Sequence, residues 1–334
     1  MSFRLCWILV SSKMLLKNFE CDIARMDLVP TALPFVVGGT VACATIAVGV
    51  WQRHRIVGFW NGESLEKILQ RKNENEVKLA FVDFMILKSA KGDIPLNMDQ
   101  NFDVNKKRDQ LMQEHNLSQK YGSDSKISQN LYLCLESVKQ VNELHHTLES
   151  RRKVSFDQEI EAHVNVLRQF WNQVATEKDG EFTLESKSWQ DFGFQGNNPS
   201  SDFRAGGLLS AQNLMEFATR YPVPYKKSLE MASKDETYAP HAIVGIHITM
   251  FVMKLLEEGK LHQHFMQTSS TEKEFVRIYS FLFYKMILYW VSSKPENIFE
   301  YNSKEAEFFS LVTSRMEQQG GLVYLDSDFD NNMF

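Results

Sequence analysis

The stretch KEFVRIYSFLFYKMILYWV, residues 273–291, decides the fold class. From Phe275 to Trp290, apolar and aromatic side chains point to every side of a helix wound from it. A helix that is hydrophobic on all sides lies in the middle of a bundle, where neighbouring helices cover it. The stretch therefore predicts a central helix with Trp290 buried, surrounded by further helices.

Apolar residues recur at helical spacing on both sides of this stretch, which is typical of helices with one buried face. We predict such helices at 127–150, 160–174, 208–220, 239–258 and 302–317. Ser155 or Asp157 is the expected N-cap of the second of these. No segment shows the period-2 alternation of a half-buried strand, so the predicted fold is an all-α multi-helix bundle.

Composition and charge narrow the function classes. The chain has 334 residues with a net charge of -5, but residues 1–60 hold six Lys/Arg against three acids, a local +3. The rest of the chain therefore carries -8, which argues against a nucleic-acid partner. Four scattered cysteines without a CxxC pair favour a reducing compartment over a disulfide framework.

The N-terminal region contains a candidate membrane segment. Residues 28–52 carry no charged side chain, and 32–52 is long enough to cross a bilayer as a helix. Trp51, Arg53 and Arg55 follow, as an interfacial anchor and a positive flank would, which predicts a cytoplasmic body anchored to an intracellular membrane. A buried core helix or a cleavable leader would show a similar pattern.

Between this segment and the predicted bundle the sequence is polar and mixed, and 99–126 is interpreted as a loop or linker. The expected organisation has five parts: an N-terminal segment (1–31), a candidate transmembrane helix (32–52), a helical N-terminal region with a linker (56–154), the main domain (155–318) and an acidic C-terminal tail (319–334).

Residues 189–209, WQDFGFQGNNPSSDFRAGGLL, form a glycine- and proline-rich loop that leads into the 208–220 helix. Asp202 or Ser201 is the expected cap of that helix. Arg204 would then lie in its first turn, where the helix dipole disfavours a cation. This placement indicates either a role outside the helix or an ion pair with Asp202, and a structural or solvated arginine is the ordinary interpretation.

The same loop strongly resembles the hallmark of the ELMO-domain family, and the resemblance extends over about residues 155–315. Further likeness lies in 241–249, in 281–290 and at Phe299 and Asn302. Three positions depart from the family pattern: Phe192, Ser201 and Ala205, the last of which places a methyl group beside the arginine. The matching positions are Trp189, Gly193, Phe194, Gln195, Gly196, Pro199, Asp202, Phe203, Arg204, Gly207, Leu208, Leu209, Asn213 and Leu214.

The resemblance implies a function, because the smaller ELMO-domain proteins are GTPase-activating proteins for Arf-like small GTPases and require the arginine of this motif. Arg204 is accordingly the expected catalytic residue, with Asp202, Gln195, Phe203 and Ser201 in support. The expected structural residues of the motif are Trp189, Gly193, Phe194, Gly196, Pro199 and Gly207.

Two other function classes compete with this one. The large engulfment scaffolds of the family bind a partner exchange factor and lack the arginine, so Arg204 favours an activator over a scaffold. A metal-dependent hydrolase could take its ligands from His241, His247, His262 and His264, but His262 and His264 point apart on a helix and no His-Glu-x-x-His occurs. We predict no metal and no cofactor.

Overall fold

A computed structural model of the chain describes residues 64–90 and 102–318, and the regular structure within them is helical. The predicted all-α multi-helix fold is confirmed. The α-helices of these residues are α1 (Leu65–Leu69), α2 (Glu74–Ala90), α3 (Val104–Glu114), α4 (Leu117–Tyr121), α5 (Lys126–Lys153), α6 (Glu161–Val174), α7 (Ser188–Asp191), α8 (Gly207–Arg220), α9 (Pro222–Ala232), α10 (His241–Glu257), α11 (His262–Gln267), α12 (Glu272–Ser292) and α13 (Tyr301–Gln318). Short 3₁₀ helices span Glu177–Asp179, Pro199–Arg204, Asp235–Thr237 and Ile298–Glu300.

Helix α12 is the central helix that its composition predicts. Thr271 caps it by accepting a hydrogen bond from the backbone N–H of Glu274, and most of its side chains are buried on all sides. Trp290, near its C-terminal end, is 1% exposed, and its indole N–H donates to the carbonyl of Thr237 at 3.1 Å. The prediction that Trp290 is buried is confirmed.

Two hydrophobic clusters make up the core, and helix α5 belongs to both. Its N-terminal half contributes Leu131, Leu135 and Val138 to a cluster with α1–α4, and its C-terminal half contributes Val141, Leu144 and Leu148 to the larger cluster around α12. A single unbroken helix of 28 residues therefore joins the N-terminal helices to the main bundle.

Helix α10 packs between α8 and α13, and α13 runs in the same direction as α10, because His247 bonds to Glu305 and Phe251 contacts Phe309. The Asn213 amide of α8 donates to the Thr249 hydroxyl of α10 at 3.2 Å, and Phe251 of α10 stacks on Phe309 of α13 with ring centroids 3.9 Å apart. Because Trp290 bonds to Thr237, α12 ends near the start of α10.

The interpretation of 99–126 as a loop or linker is wrong over most of its length. Asp103 caps α3 by accepting from the backbone N–H groups of Asn105 and Lys106, and α4 and the start of α5 follow. Leu111 and Met112 are buried against the N-terminal cluster. These short helices bury only one narrow face, so a few apolar residues are enough to hold them, and the sequence looks like that of a polar loop.

The expected caps of α6 are also wrong. Its N-cap is Ile160, which offers no side-chain oxygen, and the Asp157 carboxylate accepts instead from the backbone N–H of Glu159 at 2.9 Å.

The candidate membrane segment at 32–52 and the tail at 319–334 lie outside the described residues. Among the described helices, one stretch, Asp235–Glu257, is long and apolar enough to cross a membrane. Because 72% of its apolar window is buried inside the fold, it is typical of a core helix.

Candidate functional site

Aromatic side chains form the base of the loop that precedes α8. Trp189 is fully buried, packs its ring 4.9 Å from that of Trp171, and donates its indole N–H to the carbonyl of Thr183 at 3.0 Å. Phe192 and Phe194 meet Trp189 edge to face at 5.9 and 5.4 Å. Phe192, which departs from the aliphatic family pattern, therefore fits an aromatic cluster that holds the loop.

Gly193 lets the loop lie directly on the start of α10. Its φ is +86°, and a Cβ added there would lie 2.2 Å from the backbone nitrogen of His241. A side chain at this position would meet both backbone strain and a clash with backbone that cannot give way. By contrast, a Cβ at Gly196 would meet nothing within 4 Å.

The segment that carries the arginine is a 3₁₀ helix, Pro199–Arg204. The Asn198 side chain caps it by accepting from the backbone N–H of Ser200 at 3.0 Å. Pro199 is buried, and Phe203 is 1% exposed between the rings of Phe156 and Phe194, at 5.1 and 5.8 Å. Phe203 thus packs inward, and the next residue points outward.

Gly207 docks the end of the loop onto the C-terminal end of α5. Its φ is +56°, and a Cβ there would lie 2.1 Å from the carbonyl oxygen of Arg152 and 2.6 Å from that of Val154. The backbone N–H of Leu208 donates to the Val154 carbonyl at 2.8 Å. The loop is therefore held from two sides, by the start of α10 and by the end of α5.

The expected place of Arg204 in the first turn of α8 is wrong. Arg204 is the last residue of the 3₁₀ helix, and α8 begins three residues later behind Gly206, which supplies no side-chain cap. Neither Asp202 nor Ser201 caps α8, in contrast to the expectation from the sequence. At the C-terminal end of a short helix a cation is not disfavoured, so the argument from the helix dipole does not apply.

Arg204 is exposed, and within residues 64–90 and 102–318 its guanidinium takes part in no hydrogen bond or salt bridge. Asp202 is close enough for a weak attraction, but the two side chains are not paired. An ion pair with Asp202 therefore does not account for this arginine.

Asp202 acts on the loop backbone instead. Its carboxylate accepts from the backbone N–H of Gln195 at 2.9 Å and lies 3.5 Å from the Ser201 hydroxyl. Half-burial raises the pKa of this carboxyl above its usual value, against the opposing effect of the Gln195 N–H. The contact joins the glycine-rich part of the loop to the 3₁₀ helix that ends in Arg204.

The exposed rim of the site consists of Gln195, Ser201, Arg204 and Ala205. Ala205 has φ -81° and ψ -42°, a helical conformation open to any residue, so its backbone does not call for the glycine of the family pattern. Ala205 is exposed and directly follows the exposed Arg204.

The histidines considered as metal ligands are engaged elsewhere, and the described residues contain no group of three His, Cys, Asp or Glu able to hold an ion. Burial lowers the pKa of His241 to about 3. Their partners are Ser228 for His241 at 2.8 Å, Glu305 for His247 at 2.8 Å, Asn142 for His262 at 3.4 Å and Glu274 for His264 at 2.9 Å.

Sequence reasoning missed the residues on which the loop rests. Phe156, the carbonyls of Arg152 and Val154 and the backbone of His241 all lie outside the motif. The backbone groups of a residue leave no mark on the sequence. The signal that could have pointed to these contacts is the pair of glycines, Gly193 and Gly207, which adopt positive φ where a side chain would clash.

Comparison with known proteins gives the same picture as the motif. The profile described as the ELMO/CED-12 family matches residues 146–304. ELMO domain-containing protein B of Dictyostelium discoideum is 31% identical over 202 residues, 60% of this chain and 69% of that protein. ELMO domain-containing protein 2 of Homo sapiens is 29% identical over 213 residues, 63% and 72% of the two chains.

ELMO domain-containing protein 1 of Homo sapiens is 26% identical over 216 residues, which cover 56% of this chain and 64% of that protein. No solved structure matches the chain.

Proposed function

This chain belongs to the ELMO/CED-12 family, and we propose that it is a GTPase-activating protein for an Arf-like small GTPase, to which it supplies Arg204 in trans. The resemblance to the smaller members of the family implies this activity. The observation that carries the proposal is an exposed arginine, unpaired within residues 64–90 and 102–318, at the end of a loop whose backbone is packed against α5 and α10.

The chemistry of GTP hydrolysis explains why one arginine suffices. In the transition state, negative charge spreads over the phosphate oxygens, and a guanidinium placed there neutralises it, an effect on the order of 10³–10⁵ in rate. Arginine suits the task because it stays charged when it is desolvated and its planar fork of donors matches phosphate oxygens. A guanidinium without a hydrogen-bond or salt-bridge partner among the described residues is available for such a contact.

The backbone around Arg204 meets a second requirement, which is preorganisation. Phe203 is buried just before the arginine, and Gly207 is locked onto α5 three residues after it. Only the side-chain torsions of Arg204 would need to be fixed on docking, which limits the entropic cost of the complex.

The test is single-turnover GTP hydrolysis by a panel of Arf and Arf-like proteins, with and without this protein. We expect stimulation of at least one member, and loss of most of it in Arg204→Ala. Arg204→Lys should also be poorly active, because lysine keeps the charge but lacks the planar fork.

Arg220 provides the matched control, since it is an exposed arginine at the opposite end of α8 and pairs with Glu216. Arg220→Ala should leave stimulation unchanged. An Arg204→Lys protein with a lowered melting temperature but normal specific activity would overturn the catalytic role.

The same assay separates the activator from a scaffold. A scaffold would bind a GTP-loaded GTPase or an exchange factor without accelerating hydrolysis, and Arg204→Ala would then change no rate. Because a scaffold in this family lacks the arginine, the exposed Arg204 favours the activator.

A further inference from the structure

We propose that Asn198 is a positioning residue for Arg204, because its side chain ties the 3₁₀ helix that ends in the arginine to two other segments of the chain. This inference rests on the proposed function, and it adds a residue that acts on the GTPase only through Arg204. Asn198 is not among the positions that carry the family resemblance. We call the side chains of Asn198, Gln158 and Glu185 the polar clamp.

The first observation is that Asn198 uses both groups of its side-chain amide. Its oxygen accepts from the backbone N–H of Ser200 at 3.0 Å, which caps the 3₁₀ helix. Its NH₂ group donates to the side-chain oxygen of Gln158 at 3.2 Å and to the carboxylate of Glu185 at 3.0 Å. A backbone N–H can only donate and a carboxylate can only accept, so these partners fix which way the amide points.

The second observation is that the partners of Asn198 belong to separate parts of the chain. Gln158 lies in the linker between α5 and α6, and Glu185 lies in the segment that leads to α7. Directly beside the polar clamp, the backbone N–H of Ser186 donates to the carbonyl of Asn197 at 2.9 Å. Three segments therefore meet at Asn198, and the backbone hydrogen bond at Ser186 reports whether they stay together.

The third observation is that the linker between α5 and α6 follows the arginine segment from one end to the other. The Val154 carbonyl accepts from the backbone N–H of Leu208 at 2.8 Å, and the ring of Phe156 lies 5.1 Å from that of Phe203. Gln158, two residues further on, makes the contact of the polar clamp. These contacts hold the chain on both sides of the arginine, and the polar clamp is the one at the start of the 3₁₀ helix.

Two fixed points determine the direction of the 3₁₀ helix. Phe203 is buried near its end, but a single anchored ring would leave the helix free to pivot. Asn198 fixes the start, so the two residues together set the direction in which the Arg204 side chain leaves the backbone. This accuracy matters, because a displacement of about 1 Å at a reacting group can cost about 10² in rate.

The test is Asn198→Asp in the full chain. Aspartate keeps an oxygen that caps Ser200, so the 3₁₀ helix and the melting temperature should be preserved. The donating NH₂ is replaced by an oxygen that faces the Glu185 carboxylate, and the two negative charges repel each other. We expect the hydrolysis rate at saturating activator to fall by roughly tenfold. The activator concentration for half-maximal stimulation should change little, because Asn198 does not itself contact the GTPase.

Two further variants separate positioning from a general structural effect. In Asn198→Asp combined with Glu185→Gln, the new glutamine amide can donate to the new carboxylate, so the hydrogen bond returns with donor and acceptor exchanged. We expect this double variant to recover the rate. When Asn198→Asp is combined with Arg204→Ala, it should cost no further activity, since it acts through the arginine.

Asn197→Asp is the matched control, because it adds the same charge at the preceding, exposed residue, whose backbone carbonyl bonds to Ser186. It should leave the rate unchanged. A loss of rate that also occurs in Asn197→Asp, that follows a lowered melting temperature, or that Glu185→Gln does not reverse would overturn the inference.

Hydrogen exchange tests the polar clamp without any GTPase. The backbone amide hydrogen of Ser186 should exchange with solvent faster in Asn198→Asp and return to its original rate in the double variant with Glu185→Gln. If the protein stimulates hydrolysis and Asn198→Asp keeps the full rate, the inference fails while the proposed function stands. If no GTPase of the panel is stimulated, the proposed function fails, and unchanged exchange at Ser186 would overturn the polar clamp as well, whereas faster exchange would support it.

Discussion

Arg204 is positioned by its neighbours along the chain, and its own guanidinium is bonded to none of the residues that the structure describes. Phe203 is buried between two rings, and Gly207 lies against two carbonyls at the end of α5. An arginine fixed through its own hydrogen bonds would have to break them to reach a phosphate. Here the neighbouring residues fix the backbone of Arg204, so its guanidinium does not have to be held by hydrogen bonds of its own.

Asp202 is the residue whose removal should loosen this arrangement. Its carboxylate accepts from the backbone N–H of Gln195 at 2.9 Å, and a hydrogen bond to a charged group contributes at most about 1.5–3 kcal/mol. We expect Asp202→Ala to lower the stimulated rate of GTP hydrolysis by roughly tenfold, because ordering the loosened loop in the transition state would add about 1.36 kcal/mol to the barrier. Asp202→Asn keeps an oxygen acceptor and should retain most of the rate.

Hydrogen exchange gives a readout of this contact that does not depend on activity. The backbone amide hydrogen of Gln195 should exchange with solvent faster in Asp202→Ala than in Asp202→Asn. Ser201→Ala serves as the control, because the Ser201 hydroxyl lies 3.5 Å from the carboxylate, a weak contact. Equal loss of rate in Asp202→Asn and Asp202→Ala would show that the negative charge, and not the hydrogen bond, is what Arg204 requires.

At the scale of elements, long helices with strong apolar stripes could be predicted closely from the sequence. The stretch expected at 127–150 is α5, and the one expected at 273–291 is α12. In α5 the apolar side chains recur at the helical period, and in α12 a long apolar run without turn residues covers every side of the helix, so each is too long and too apolar for another structure. Tertiary packing therefore agrees with the local signal.

Short helices with few apolar residues could not be predicted from the sequence. Helix α3 has mostly polar side chains, and only Val104, Leu111 and Met112 are buried. Asp103 begins it, but a capping residue without a clear apolar period looks the same as a loop residue in the sequence. Helix α11 (residues 262–267) is equally short and follows a turn at Gly259.

The position of Arg204 shows a further limit. The sequence indicates a helix near it, but the 3₁₀ helix and α8 are separated only by Ala205 and Gly206. Both candidate caps of α8 lie inside the 3₁₀ helix, where the Asp202 carboxylate turns to Gln195. A polar residue between two adjacent helices can belong to either one. Tertiary contacts decide this, and the local sequence pattern does not contain them.

At the scale of the whole molecule, the first question is where the protein acts. We propose that residues 32–52 anchor it in an intracellular membrane, with Arg53, Arg55 and the helical body in the cytoplasm. The full chain should then resist carbonate extraction from cell membranes, and a fragment starting at residue 56 should be soluble. Complete release of the full chain by carbonate would contradict the anchor.

The second question is whether the main domain is stable without the N-terminal helices. Helix α5 gives Val141, Leu144 and Leu148 to the main core, and its end receives Gly207 and Leu208. Burial of one large aliphatic side chain contributes about 1.5–3 kcal/mol. Together the three contribute about 4.5–9 kcal/mol, which is comparable to the lower half of the range of about 5–15 kcal/mol within which whole domains are stable.

A fragment of residues 155–318 should therefore be unfolded or melt at a much lower temperature than a fragment of residues 64–318. Circular dichroism with thermal melting checks this, and the fragment 64–318 is the control because it keeps α1–α5 and both clusters. The shorter fragment should also lose the docking of Gly207 on α5, so any folded fraction should have an arginine loop that exchanges its amides rapidly. Equal melting temperatures for the two fragments would show that α5 is dispensable, and that the core around α12 closes without it.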